Sequence, residues 1–182
     1  MIVGTKVLLR AISPDDLEQL RLWRNNPEFR KHFREYLDIS QQMQMKWFQD
    51  TVNEDRNTIM FAIVDKKTGQ LLGCCGLCYI NWVHRNADLS IYIGADDVYI
   101  DSDGYAKDAC LTLMSYGFNE INLHKIWTEI YEFDHRKIEL YDDLGFSVDG
   151  RLRENYFYDG KWWESILLSK LASEFSLGDD NG

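Results

Sequence analysis

Asp101-Ser102-Asp103-Gly104-Tyr105-Ala106-Lys107 opens the stretch that decides the fold, and the apolar residues after it set the period. From Gly104 to Asn122 the chain has its clearest helical repeat. Ala106, Ala109, Cys110, Leu113, Met114 and Phe118 fall on one stripe. Ahead of this helix lies a polar, acidic loop from Asp96 to Gly104. Ahead of the loop, Ala87 to Gly94 (ADLSIYIG) reads as a strand. Behind the helix, Lys125 to Glu132 (KIWTEIYE) reads as another. The centre of the chain is therefore strand, acidic loop, glycine-started helix, strand.

Working outward, Thr58 to Asp65 and Leu71 to Ile80 flank the turn Lys66-Lys67-Thr68-Gly69-Gln70 and read as an antiparallel hairpin. Thr5 to Arg10 is a first strand. Ser13-Pro14-Asp15-Asp16 then has a capping serine, a proline in the first turn and acids at the positive helix end, so a helix starts there. Leu17, Leu20 and Trp23 carry it to the break at Asn25-Asn26-Pro27. A short helix is expected from Glu28 to Phe33. Ser40 caps another, with Met43, Trp47 and Val52 on its apolar side. Beyond the central block, His135 to Leu144 is a helix stopped by Gly145. Phe146 to Gly150, Arg153 to Tyr158 and Trp162 to Leu171 close the chain as strands around an Asp159-Gly160 turn. This order predicts a mixed α/β sheet with flanking helices. Residues 1–177 form one domain in this reading, and 178–182 a frayed tail.

Composition removes several classes of function. At 45% hydrophobic and 14% aromatic residues, the chain has ample material for a core. A net charge of −10, with no basic stripe, argues against nucleic acid. The same charge mildly favours a cationic substrate through long-range steering. Neither a secretory leader nor an apolar run of roughly 18 residues is present, so a soluble, cytoplasmic protein off the membrane is expected. Cys75 and Cys78 have CxxC spacing, but on a strand they point to opposite faces, and no second pair or histidine cluster accompanies them. No metal is expected, because His32, His84, His124 and His135 also lack ligand spacing.

From Leu71 to Leu171 the chain resembles the GNAT acetyltransferase superfamily, and most of all its RimJ/RimL-like branch. The resemblance is carried by Ala87 to Gly94, Asp101 to Ala106, Tyr116-Gly117-Phe118-Asn119-Glu120-Ile121-Asn122-Leu123-His124-Lys125-Ile126, Leu140-Tyr141-Asp142-Asp143-Leu144-Gly145-Phe146, Asp149 to Arg153 and Tyr158 to Trp162. Each piece alone is unspecific; their order and spacing carry the likeness. The amino-terminal half, with Leu22-Trp23-Arg24-Asn25-Asn26-Pro27, is also similar to amino-sugar-nucleotide acetyltransferases. The resemblance implies a GNAT fold: a mostly antiparallel sheet with one splayed strand pair. It also implies acetyl-CoA (coenzyme A) as cofactor and direct transfer of acetyl to a primary amine. The acceptor can be a protein N-terminus, a polyamine, an amino sugar or a drug amine.

The resemblance also assigns residues. A helix amino end offers free N–H groups and partial positive charge to a pyrophosphate. Ser102, Asp103, Gly104, Tyr105, Ala106 and Lys107 would supply them, with Lys107 adding charge. The amides of Ile91 and Ile93 would hold the cofactor arm and the thioester carbonyl. Asp134 stands where the family carries Asn against the pantetheine arm, and Lys137 is placed to neutralise phosphate. A free alkyl amine titrates near ~10, so a base must deprotonate it. Asp88 sits where this branch often has Glu, while Glu129 and Glu132 are weaker candidates. Tyr141 matches the tyrosine that returns a proton to the departing thiolate. A competing reading, motivated by Asp101, Asp103 and Asp134, is a non-catalytic acyl-CoA-binding or assembly module. Trp162-Trp163 on a late strand could pack a homodimer.

Overall fold

The computed structural model describes residues 1–176, so the expected frayed tail lies outside the described residues. Eight strands form one sheet: β1 (Ile2–Val3), β2 (Val7–Ala11), β3 (Ile59–Asp65), β4 (Leu71–Asn81), β5 (Asn86–Ile93), β6 (Lys125–Tyr131), β7 (Ser147–Tyr158) and β8 (Lys161–Leu171). Strand residues alternate between two faces; β4 and β5 are buried on both, whereas β7 is exposed along most of its length. Their order is β1-β2-β3-β4-β5-β6-β8-β7. Every neighbouring pair is antiparallel except β5 and β6, which run parallel.

That parallel step requires a crossover, and α4 (Tyr105–Ser115) supplies it. Its stripe of Ala106, Ala109, Cys110, Leu113 and Met114 is fully buried, and the helix packs on β2, β4 and β5. A wider turn over Tyr116–Glu120 extends it and buries Phe118. Asp108, on the first turn of α4, accepts the N–H groups of Thr5, Lys6 and Val7 at 3.1, 2.7 and 2.9 Å. The helix start is thereby tied to the start of β2. The helices α1 (Leu17–Asn25), α2 (Pro27–Arg30) and α3 (Gln41–Trp47) lie between β2 and β3 in the chain. α1 lays the Trp23 ring against Gly94, where a Cβ would come within 2.0 Å of the ring. Only glycine permits that approach. α5 (His135–Asp143) follows β6 and stops at Gly145, whose φ is +69°.

Three local expectations change. The helix expected from Glu28 to Phe33 ends at Arg30, leaving His32 and Phe33 in a turn. In α3, Met43 faces out at 42% exposure and Gln44 is buried instead. Gln44 shares its face with Trp47 and Phe48, three and four positions on, and these two with Val52 pack against the core. The last segments form two long strands rather than three, because β7 continues through bulges at Val148/Gly150 and Leu152/Tyr156. Asp159 and Gly160, with φ of 51° and 75°, make the turn to β8.

Cys74, Cys75 and Cys110 are buried free thiols, and Cys78 is a free thiol on the cavity described below. Burial pushes Cys74, Cys78 and Cys110 up to about 12, which rules out a resting thiolate at neutral pH. Among the described residues no group of His, Cys, Asp or Glu has the arrangement to hold a metal ion, and no helix is long and apolar enough to cross a membrane.

Candidate active site

β5 and β6 pair only at Asn86↔Lys125, Ala87↔Ile126 and Asp88↔Trp127, then part. The last link is a side chain: Thr128 Oγ1 donates to the Leu89 carbonyl at 3.1 Å. β6 stays bonded to β8 along its full length, so the parting opens a wedge on the β5 side. Gly94 N–H bonds the Leu72 carbonyl at 2.8 Å. By antiparallel alternation Ser90 and Tyr92 then bond β4, while Leu89, Ile91 and Ile93 turn their main-chain groups toward the wedge. The Ile91 amide points into the opening. The Ile93 amide, predicted to act with it, is already bonded to the Tyr99 carbonyl at 2.9 Å.

The loop before α4 differs from expectation in a second way. Gly104 is the N-cap with φ of 89°, the left-handed conformation that glycine adopts without strain. The Tyr105 and Ala106 amides are not free, however. They donate to the Asp101 carboxylate at 2.8 and 2.7 Å. An anion does sit on this helix end, and it belongs to the chain. Ser102 and Asp103 are exposed. Lys107 reaches toward Asp143 at 3.4 Å. Lys6, which sequence reasoning overlooked, donates from Nζ to the Asp103 carbonyl at 2.5 Å and is the side chain nearest Gly104.

At the other side of the wedge, Asp134 caps α5. Its Oδ1 accepts the Lys137 N–H at 3.2 Å; its Oδ2 lies 3.2 Å from His32 Nδ1 and accepts the Tyr99 hydroxyl at 3.4 Å. Burial pushes this carboxyl up. The close approach of His32, the nearby Lys137 charge and the Lys137 N–H outweigh burial, holding it below its ordinary value. His32 stacks on Tyr99 with centroids 4.3 Å apart. The Asp134 side chain is thus spent inside the protein rather than offered to a cofactor arm. Lys137 is buried, not on the surface; desolvation pulls its amine down, opposed by Asp134 and Asp88. Tyr141 is 0% exposed, and its hydroxyl has no hydrogen-bond partner. Burial drives that phenol well above its ordinary value, so it stays protonated.

Asp88 is the last paired residue of β5 and is 4% exposed. It lines a cavity of about 710 Å³ with Glu129, Ser90, Thr128, Trp47 and Lys137. Its Oδ2 accepts Arg34 Nη1 at 2.8 Å, whereas its Oδ1 is buried without a partner. Desolvation raises the carboxyl to about 6, against the lowering effect of Arg34 and Lys137. Glu129, from β6, holds Arg34 Nε at 3.3 Å and accepts the Asn155 amide at 3.1 Å. Glu132 is not part of this cavity; it accepts the Glu164 N–H at 3.0 Å. Arg34 was not anticipated, because nothing in His32-Phe33-Arg34-Glu35 marks it and its partner lies 54 positions away. The arrangement holds a carboxyl poised to gain or lose a proton near neutrality. Asp88 lies beside a strand edge with free main-chain groups, and the buried phenol of Tyr141, on α5, is protonated and lacks a partner. Such a set can deprotonate one group and protonate another around a bound carbonyl.

A model of the acetyltransferase (GNAT) domain matches residues 6–147. The spermidine N(1)-acetyltransferase of Vibrio cholerae is 25% identical over 177 residues, covering 95% of this chain and 97% of its own. That of Escherichia coli K12 is 27% identical, covering 89% and 84%. The crystal structure of the Vibrio cholerae spermidine N-acetyltransferase in complex with CoA and spermine superposes with a TM-score of 0.85 at 25% identity, covering 94% of this chain and 98% of that one.

Proposed function

The chain belongs to the GNAT acetyltransferase family and is an acetyl-CoA-dependent N-acetyltransferase, and from that premise we propose that its acceptor is a polyamine such as spermidine. The observation that carries this is the buried Asp88 beside Glu129 in one cavity at the mouth of the wedge. Two carboxylates there suit an acceptor with more than one positive charge, as does the net charge of −10. The two relatives reported above are named for spermidine rather than for a protein N-terminus, which favours a polyamine over the RimJ/RimL-type acceptor.

Acetyl-CoA supplies the thioester. The free Ile91 amide edge and the unpartnered Tyr141 hydroxyl suit a ligand in the wedge, whereas the carboxylate of Asp101 opposes its diphosphate. In the proposed reaction Asp88, ionised, takes a proton from the protonated amine directly or through water. The neutral amine forms the C–N bond as the C–S bond breaks. The departing sulfur, whose thiol titrates near ~8.5, accepts the phenolic proton of Tyr141. The protonated amide nitrogen left by the attack returns a proton to the Tyr141 phenolate, and Asp88, which lines the cavity, releases its own to solvent, so both groups are restored and one proton is freed per turnover.

The direct test is thiol release from acetyl-CoA over a panel of spermidine, spermine, a peptide N-terminus, an amino sugar and an aminoglycoside. Spermidine or spermine is expected to give the highest kcat/KM. A higher value for any other acceptor would reject the polyamine assignment, and no thiol release with any amine would favour the binding-module alternative.

Asp101→Gln gives a second expected result. Removing a carboxylate beside the diphosphate should tighten acetyl-CoA binding by about 10-fold in a calorimetric titration, equivalent to ~1.4 kcal/mol. The same change removes the acceptor of two helix amides, so the ligand-free protein should melt earlier. Weaker cofactor binding in this variant would show that Asp101 supports the site rather than competing for it.

A further inference from the structure

Arg34 sits in the cavity as a guest would. Its guanidinium donates to Asp88 at 2.8 Å and lies 3.3 Å from Glu129. Its carbon is 5.8 Å from the ring centroids of both Tyr79 and Trp127. Two carboxylates and two aromatic faces are the recognition chemistry for an organic cation. The Arg34 side chain is 40% exposed, so the protein's own cation enters from the solvent side, while the Asp88 side chain below it is 6% exposed. Arg34 comes from the turn after α2, outside the sheet and outside regular structure. The two carboxylates that receive it are on strands β5 and β6, and the aromatic faces on β4 and β6. Asp88 Oδ1, buried and without a partner, is an acceptor that Arg34 leaves unused.

We propose that Arg34 is a resident stand-in for the acceptor's cationic nitrogen, and that the substrate binds by displacing it from Asp88 and Glu129. The proposal rests on the polyamine reading only for the identity of the displacing cation. Displacement has a definite electrostatic logic. With Arg34 in place the two carboxylates are partly neutralised, and a monoamine gains little by entering. An acceptor with a second positive charge can replace the guanidinium and still leave Glu129 paired. Arg34 would then discriminate by charge number as well as by shape. Its departure would also leave the amine that Asp88 must deprotonate as the cation in contact with it, with Lys137 the remaining charge nearby.

Three measurements test this. In the wild-type protein, the Arg34 Nε–H resonance, assigned by its loss in Arg34→Gln, should shift when spermidine saturates the site; binding without a shift overturns displacement. In Arg34→Ala, ethylguanidinium chloride should bind at millimolar concentration by calorimetry and compete with the acceptor, while the wild type should show at least ~5-fold weaker binding. Equal binding to both proteins overturns the proposal. In Arg34→Gln, which keeps side-chain length and one donor, the spermidine KM at pH 8.5 should fall about 5-fold with acetyl-CoA affinity unchanged. A rise in KM would mean that Arg34 binds an anionic group of the acceptor. If the alanine variant gains the guanidinium site but neither protein binds or acetylates any polyamine, displacement stands and the polyamine reading fails.

Discussion

Replacing Tyr141 by Phe is expected to lower kcat for amine acetylation by ~10²-fold, the low end of what a positioned proton donor contributes. Acetyl-CoA affinity should stay within about 2-fold of the wild-type value, since the phenol acts on the departing sulfur rather than on cofactor binding. The hydroxyl is buried at 0% exposure and makes no hydrogen bond, so deleting it breaks none. Stability should therefore hold or rise slightly, since an unsatisfied buried hydroxyl is a cost. The combination of lost turnover, kept cofactor binding and kept fold distinguishes a proton donor from a packing tyrosine. Steady-state kinetics, a cofactor titration and a thermal melt read all three. An unchanged kcat would remove Tyr141 from the chemistry.

Asp88→Asn is expected to cost ~10²–10³-fold in kcat/KM and to change the shape of the pH profile. Burial raises the Asp88 carboxyl to about 6. The carboxylate is the active form, so the wild-type rate should rise with pH through about 6 as the proton leaves Asp88. It should fall below that value as the proton returns. Asn cannot titrate, so this acid limb should vanish in the variant and leave only the slower rise due to the amine itself. In Arg34→Gln, by contrast, the limb should survive and move to higher pH, because the guanidinium that favours the ionised form has been removed. A profile of Asp88→Asn that keeps the wild-type limb would assign the base to another group, with Glu129 next in line.

Much of this architecture could be read before any coordinates. The stripe from Ala106 to Phe118 has one reading as a helix, and the alternation in Ala87 to Gly94 has one as a strand. The hairpin of β3 and β4 was legible too, while the register that sets Cys75 opposite Ile91 is known only from the structure. The resemblance to acetyltransferases also led to the parting of β5 and β6, and the pairing that stops at Asp88↔Trp127 agrees with it. What stayed hidden has physical reasons. That Asp101 turns back onto Tyr105 and Ala106 depends on the left-handed turn at Gly104 and on one side-chain rotamer, neither of which is written in residue identity. Arg34 meets Asp88, and His32 meets Asp134, only after the sheet has brought distant segments together. Gln44 rather than Met43 is buried in α3, and a polar residue on the inner face of a short helix has no compositional mark.

The short seam between β5 and β6 has an effect on the life of the protein as well as on its chemistry. Across the middle of an eight-stranded sheet, β5 and β6 pair at three residue pairs among the described residues, with one further backbone bond, His124 N–H to the Arg85 carbonyl, at the same end. A ligand lodged in the wedge acts as mortar there, and by mass action anything that binds only the closed form deepens its stability. Saturating acetyl-CoA is therefore expected to raise the melting temperature and to slow proteolysis along this line.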